Sequence, residues 1–493
     1  MIRQLIIASV GVTLLGATKT ATADEAIIIG GGYHLTASQG QIELNVQYAK
    51  DTLEAKGLDV TTYFTDGDDP GSDVFIQHQE PIDATFDAIS RVMGNYQEQY
   101  KEYRTHNLSD VAGSTERDEL LPKLQSHFKD ATQPQWLIYN GHGRQSQSTP
   151  DQVTLELWNN TQLTASELHS ELKSSTQPLR YAFTQCYSGG FHSIAYKEPN
   201  NSLIPAKPLR CGFTAVSAYS LAEGCSASIN TDDYRDYTTH FFAALSGYDR
   251  NGEIVLHEPD TDASGDVNPR EAHFHTLLNA KSADLSWSTS EDFLSRWEPW
   301  YLKWTPQVKT IPNNEYAKLF RELAKATEIP LEKDTLKEIR NQLASLKNER
   351  QGLAQKINIS TRAIDSLRRN IAKPIVAKWP AVMAPFTVGF QKLSKAGTLK
   401  EINTAIEADE QYASLLEQQN AMGDLENSAL TIERRITQLE KLLHLRRIAT
   451  LKDQLMKFGS DTDIKSYQDF VACEELPLTS TDTLPVRSAQ SEQ

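Results

Sequence analysis

Cysteine is scarce in this chain of 493 residues: there are four, and no two form a C-x-x-C pair. That removes the usual signatures of a structural zinc site and of a dithiol redox centre. Positive charge is also short. Lys and Arg number 49 against 65 Asp and Glu, and the net charge of -16 argues against nucleic acid or an anionic membrane as the main partner. Long apolar runs are missing too. Beyond the N-terminus no stretch reaches the ~18 residues of a membrane-spanning helix, so no transmembrane segment is expected. What is present, 39% hydrophobic and 23% charged residues, is the make-up of a soluble globular protein, and the length calls for two or three domains.

The N-terminus has the pattern of a secretory signal. Arg3 gives a positive start, Leu5 to Leu15 is apolar but too short to span a bilayer, and Ala21-Thr22-Ala23 is a small-x-small cleavage site. Residues 1–23 are therefore expected to be removed, with the mature chain starting near Asp24 and held in a periplasm or secreted. Export permits disulfides. A local bridge between Cys211 and Cys225 would close the intervening loop and contribute about 3 kcal/mol by chain-entropy reasoning.

Apolar strands and amphipathic helices alternate through the first half. Residues 26–32 read as a strand ending in glycines, followed by a helix carrying Ile42, Val46, Ala49 and Leu53 and stopped at Gly57. Residues 60–64, 136–142, 179–183 and 211–217 read as further strands. Residues 120–128 read as a helix, and so do 164–172, where Thr164 and Glu167 form a capping box. This alternation predicts an α/β fold with a mostly parallel sheet flanked by helices, whose ligands bind beyond the carboxyl ends of the strands.

From about Ile311 the pattern becomes helical. Leu336, Ile339, Leu343, Leu346, Leu353, Ile357, Ile364, Leu367 and Ile371 recur at three- and four-residue spacing, and Leu425, Ile432, Ile436, Leu439 and Leu443 form a second seam. Residues 306–458 are expected to form an antiparallel α-helical hairpin or coiled coil. The apolar stretch 374–390 between the seams is broken by Pro374, Pro380 and Pro385. It reads as a kinked connector packing on its own helices, or as a tip that meets a partner or membrane. Residues 459–493 are assigned to a tail, largely disordered and rich in Ser, Thr and Gln from Thr479.

Two short motifs fall at strand ends. Tyr139-Asn140-Gly141-His142-Gly143 closes one apolar strand, and Gln185-Cys186-Tyr187-Ser188-Gly189-Gly190 follows another. A lone cysteine in such a place is most often a buried structural thiol; the histidine motif changes that balance. Only a thiolate attacks carbonyls well, and a neighbouring imidazole can take its proton and later return it to a leaving amine. Glycine on both sides of His142 lets the backbone approach a scissile bond, so the N–H groups of Gly143 and Cys186 can hold an oxyanion. One such donor is worth about 2.7–4 kcal/mol of barrier.

The histidine precedes the cysteine by about 45 residues, close to the ~50 of caspases. Asn-Gly-His-Gly followed by Gln185-Cys186-Tyr187-Ser188-Gly189-Gly190-Phe191 resembles the caspase-like clan of cysteine peptidases, most of all its legumain-like (C13) family and bacterial relatives. The resemblance covers residues 24–305 and implies a caspase-like sheet, a His142–Cys186 dyad and oxyanion donors at Gly143 and Cys186. It implies substrate-binding positions at Ser38, Gln39 and Gln185. Where legumains carry Asn-Tyr-Arg-His-Gln, this chain has Ala37-Ser38-Gln39-Gly40-Gln41, so asparaginyl specificity does not carry over, and the helical region has no legumain-like counterpart.

Residues 260–271 match an EF-hand loop position by position. Asp260, Asp262, Ser264, Asp266 (through its carbonyl), Asn268 and Glu271 take the ligand places and Gly265 the sharp turn, which implies a structural calcium ion. His78, His106, His169, His192, His240, His273 and His275 lack a visible partner set, and Trp297, Trp300, Tyr301 and Trp304 read as packing at a domain seam or as a cleft wall. The expected activity is that of an exported cysteine endopeptidase acting on a peptide or protein. Its rivals are a transamidase or ligase on the same dyad, and a non-catalytic scaffold that recruits partners through the helical hairpin.

Overall fold

Among the described residues, ten strands organise the stretch 25–288: β1 (Glu25–Gly31), β2 (Asp59–Phe64), β3 (Val74–Gln77), β4 (Lys101–Arg104), β5 (Gln135–Arg144), β6 (Thr154–Leu157), β7 (Thr161–Thr164), β8 (Leu179–Phe183), β9 (Arg210–Thr214) and β10 (Trp287–Ser288). The computed structural model describes residues 24–478 except 95, 146–151, 200–201, 256–258, 301–310, 333 and 386. The expected signal segment, the residues from Thr479 onward, Tyr301 and Trp304 lie outside the described residues.

The main sheet runs in the order β10-β9-β8-β5-β1-β2. Its five central pairings are parallel except for β10, which joins β9 antiparallel. The far end of β5 continues into an antiparallel β6–β7 hairpin, and β3 and β4 form a separate pair. Strands β1 and β8 are buried along nearly their whole length. That explains the apolar run from Ala26 to Gly31 in β1: a parallel strand covered on both faces has no polar side to show. Helix Gly40–Ala55 covers one face with Ile42, Val46, Ala49 and Leu53, beside Phe241 and Leu245 of helix Tyr237–Ser246. Leu120, Leu124 and Phe128 of helix Arg117–Asp130 cover the other.

The two seams become helices Thr335–Lys378 and Tyr412–Phe458. They run antiparallel: Lys347 bonds Glu440, Arg350 bonds Glu433 and Asn370 bonds Gln411, one series rising as the other falls. Helix Tyr412–Phe458 does not stand apart from the sheet domain. Leu439, Leu442, Leu445, Ile448 and Leu455 share one core with Leu137, Phe183, Phe293 and Tyr316. In the connector, Val382 and Phe390 pack with Phe86, Ile89 and Tyr96 from the segment between β3 and β4, and the Tyr96 hydroxyl donates to the Val382 carbonyl at 2.7 Å.

Two expectations are corrected. Residues 461–474, assigned by composition to the tail, form a helix capped by Ser460 and Asp463. Its Tyr467 and Phe470 enter the main core, and such burial outweighs the polar character of its other face. The second concerns the disulfide, which joins Cys211 to Cys473, while Cys225 is a free thiol. Cys211 on β9 faces the core that includes Phe470, whereas Cys225 packs against the core on the opposite sheet face. Side chains leave a sheet on two faces, so proximity in sequence did not bring these two together. The segment after this helix is also held: Arg180 donates to the Leu476 and Pro477 carbonyls at 2.9 and 2.8 Å.

Candidate active site

Strands β5 and β8 lie side by side with Tyr139 opposite Phe183, and Thr184 N–H donates to the Tyr139 carbonyl at 3.1 Å. His142 and Cys186 each follow three residues beyond that pair, so both emerge at the same carboxyl edge of the sheet. The two tips touch. A Cβ on Gly143 would overlap the Cys186 carbonyl oxygen and the Gln185 side chain, so only glycine fits there.

The imidazole of His142 is held from one side. Its Nε2 lies 2.9 Å from the Ala37 carbonyl and 2.9 Å from Gln39 Oε1. The carbonyl can only accept, so Nε2 carries the proton and Nδ1 keeps the lone pair. Tyr33 packs edge-on at 5.5 Å, and the buried Tyr139 hydroxyl is shared between the carbonyls of His142 and Glu156 at 2.8 and 2.7 Å. Burial lowers the His142 pKa below its ordinary value, partly opposed by the Ala37 carbonyl.

Cys186 is half-buried. Its sulfur accepts from Ala222 N–H at 3.3 Å. Burial raises the thiol pKa, and the Ala222 amide opposes that rise. Tyr187, next in the chain, sits in the left-handed region at φ 61° and ψ 17°, a conformation that costs a non-glycine residue of order 1 kcal/mol. It is held by its N–H to the Ser220 carbonyl at 2.8 Å. A raised thiol and a lowered imidazole make a resting pair that is neutral, so proton transfer has to accompany attack. Among the described residues no hydrogen bond joins the two side chains directly.

The three expected substrate positions fare differently. Ser38 is fully buried; its hydroxyl accepts from Gly32 N–H at 3.3 Å and its carbonyl from Phe75 N–H at 2.9 Å. It braces the loop after β1 from a buried position. Gln39 orients His142. Gln185 is 1% exposed, and neither end of its amide has a partner among the described residues, which leaves it polar capacity beside Gly143. Gln39 was expected as a substrate contact rather than as a partner of His142, and Cys225 as half of a disulfide; the contact of Ala222 with the Cys186 sulfur, and the place of the free, half-buried Cys225 with its sulfur 3.9 Å from the Gly141 carbonyl, were not foreseen. They sit in loops with no motif.

In the loop at 260–271, one ligand atom each of Asp260, Asp262 and Glu271 lies within 4.8 Å of the others, a fit for a hard cation. The other expected ligands have other duties. Ser264 Oγ donates to the Asp266 carbonyl, the Asp266 carboxylate bonds Lys56 at 2.6 Å, and Asn268 caps helix Pro269–Asn279, in a capping box that also engages Glu271. The partners of several histidines also emerge: His106 bonds Asp73, His192 lies between Tyr181 and Thr214, and His273 meets Glu291.

The fold and site thus define an α/β protein with a thiol and an imidazole at neighbouring strand tips. No protein-family profile matches the chain, and no curated protein is similar to it in sequence. Among the described residues no helix is long and apolar enough to cross a membrane.

Proposed function

We propose that the protein is an exported cysteine endopeptidase of the caspase-like clan, of legumain-like type. One observation carries the reading: His142 and Cys186 follow paired residues of adjacent parallel strands, with His142 Nε2 anchored on Ala37 and Nδ1 left unprotonated. The Cys186 thiol gives its proton to Nδ1 as its sulfur bonds to a peptide carbonyl carbon. The N–H groups of Gly143 and Cys186 hold the resulting oxyanion. Collapse breaks the C–N bond, and His142 returns the proton to the leaving amine. A water deprotonated by His142 then cleaves the thioester and frees the acid. The loop with Asp260, Asp262 and Glu271 is assigned a structural calcium ion, bound at the low affinity usual for extracellular modules.

The test is a peptide library presented to the wild type and to Cys186→Ala. Turnover by the wild type and a loss of at least about 10³-fold in the variant are expected. Equal turnover by both sinks the reading, and diversion of product to an added amine turns it into a transamidase on the same dyad.

A further inference from the structure

The loop that touches the nucleophile is not held by the sheet domain alone. Residues 217–225 follow β9 and pass over the Cys186 turn. Val216 N–H donates to Ser188 Oγ at 3.2 Å, Tyr187 N–H to the Ser220 carbonyl at 2.8 Å, and Ala222 N–H to the Cys186 sulfur at 3.3 Å. Tyr219 and Leu221 are exposed, so apolar burial does little to fix this segment. Its anchor is the next residue. Glu223 N–H donates to Asp284 Oδ1 at 2.8 Å, and its carboxylate accepts from Ala283 N–H at 2.7 Å. Arg434, far along the chain on helix Tyr412–Phe458, grips the same carboxylate with Nε at 3.1 Å from Oε1 and Nη2 at 2.8 Å from Oε2.

The grip belongs to a larger contact. From the same helix Thr437 Oγ1 donates to the Ala283 carbonyl at 3.3 Å and Lys441 Nζ to the Ala280 carbonyl at 2.8 Å. One helix face therefore holds both Glu223 and the segment 280–284 beneath it. A two-point guanidinium–carboxylate pair sets direction as well as distance, which a lysine cannot reproduce. Both side chains are mostly buried, 28% and 19% exposed, where such a pair is screened less than at an open surface.

We propose that Arg434 is a positioning residue for Cys186: by clamping Glu223 it keeps the Ala222 N–H on the sulfur and makes the helical region part of the active site. The inference rests on Cys186 being the nucleophile. Among the described residues, Asp284 beneath the loop and Cys225 act on the sulfur electrostatically, Asp236 lies near Cys225, and His142 stands at the neighbouring strand tip. Loss of Arg434 leaves the Glu223 carboxylate without its cation and frees the Ala222 amide from the sulfur. Both changes disfavour the thiolate.

The test reads the pH dependence of iodoacetamide alkylation at Cys186 in the full chain, with the site verified by mass spectrometry. Arg434→Gln is expected to raise the midpoint by about one pH unit, a roughly ten-fold loss of thiolate at neutral pH. Arg434→Lys should recover part of it. Lys347→Gln, which breaks an exposed pair with Glu440 elsewhere on the hairpin, should leave the midpoint where it was. An unchanged midpoint in a folded Arg434→Gln protein overturns the proposal, and so does an equal shift in Lys347→Gln. Where Arg434→Gln does not fold, Arg434→Lys is read in its place, and a wild-type midpoint there overturns it. A shifted midpoint without peptide cleavage keeps this inference and ends the peptidase reading; intact cleavage with an unshifted midpoint does the reverse.

Discussion

The two long helices look alike in sequence and behave differently in the fold. Helix Thr335–Lys378 buries 7 of its 44 residues, scattered along its length. Helix Tyr412–Phe458 buries 15 of 47, and most of them lie between Ile436 and Leu455. The first is largely the outer arm of a hairpin. The second half of the other is a core element of the α/β domain, and the residues that reach the active-site loop come from it. A seam at helical spacing tells that a helix has an apolar side, not which partner takes it.

The largest expected effect tests whether the halves are separable. Ending the chain after Trp300 removes Leu439, Leu442, Leu445 and Ile448 from the shared core. At about 1.5–3 kcal/mol per buried aliphatic side chain, their loss approaches the 5–15 kcal/mol stability of a typical protein. The truncated chain should lose its cooperative thermal transition and its near-UV circular dichroism. A stable folded fragment would break the comparison.

A second prediction contrasts the pH responses of the two regions. Burial holds His192, in the turn after Cys186, down at about 4. Its folded pKa lies below the unfolded one, so its contribution is complete above about 6.5 and is lost as pH falls towards 4. Burial pushes Glu474, at the end of the C-terminal helix, up to about 7. Its folded pKa exceeds the unfolded one, so its contribution is complete below about 4.5 and is lost as pH rises through 7. Each amounts to on the order of 3 kcal/mol over its window. Urea midpoints against pH should show His192→Asn reducing the acid-side slope, to which His240 also adds, and Glu474→Gln flattening the neutral-side slope. Slopes unchanged in both variants would contradict these assignments.

The smallest effect concerns the loop at 260–271. One millimolar calcium should stabilise the protein by about 0.4–1.4 kcal/mol in chemical denaturation, as expected for a site half to nine-tenths filled. Asp260→Asn with Asp262→Asn should remove that gain. A loop that already satisfies Glu271 through Thr261 and Asn268 has less to gain than the shared core has to lose.

Much of the sheet domain was legible because its signals are local. Ile27 to Ile29, Leu137 and Phe183 announce strands by composition, and Thr164 with Glu167 announces the helix start by the capping box that forms there. His142 and Cys186 stood out because glycines mark the tight backbone at each strand tip. The supporting groups did not. Gln39 reaches His142 across 103 positions, and Glu223 meets Arg434 across 211. Neither contact leaves a trace in spacing, since nothing nearby in the chain constrains either partner.

The sequence by itself determined the alternation of strands and helices, the glycine-framed tips with their imidazole and thiol, and the existence of two long amphipathic helices. Backbone sterics and side-chain periodicity act over a few residues, so they can be read from a short window. Only the tertiary structure decided that Cys211 bonds Cys473, that Ser38 is a brace, and that a helix some two hundred residues downstream anchors the loop on the nucleophile. Those choices depend on which surfaces remain to be buried once the sheet is in place, and that is a property of the whole chain.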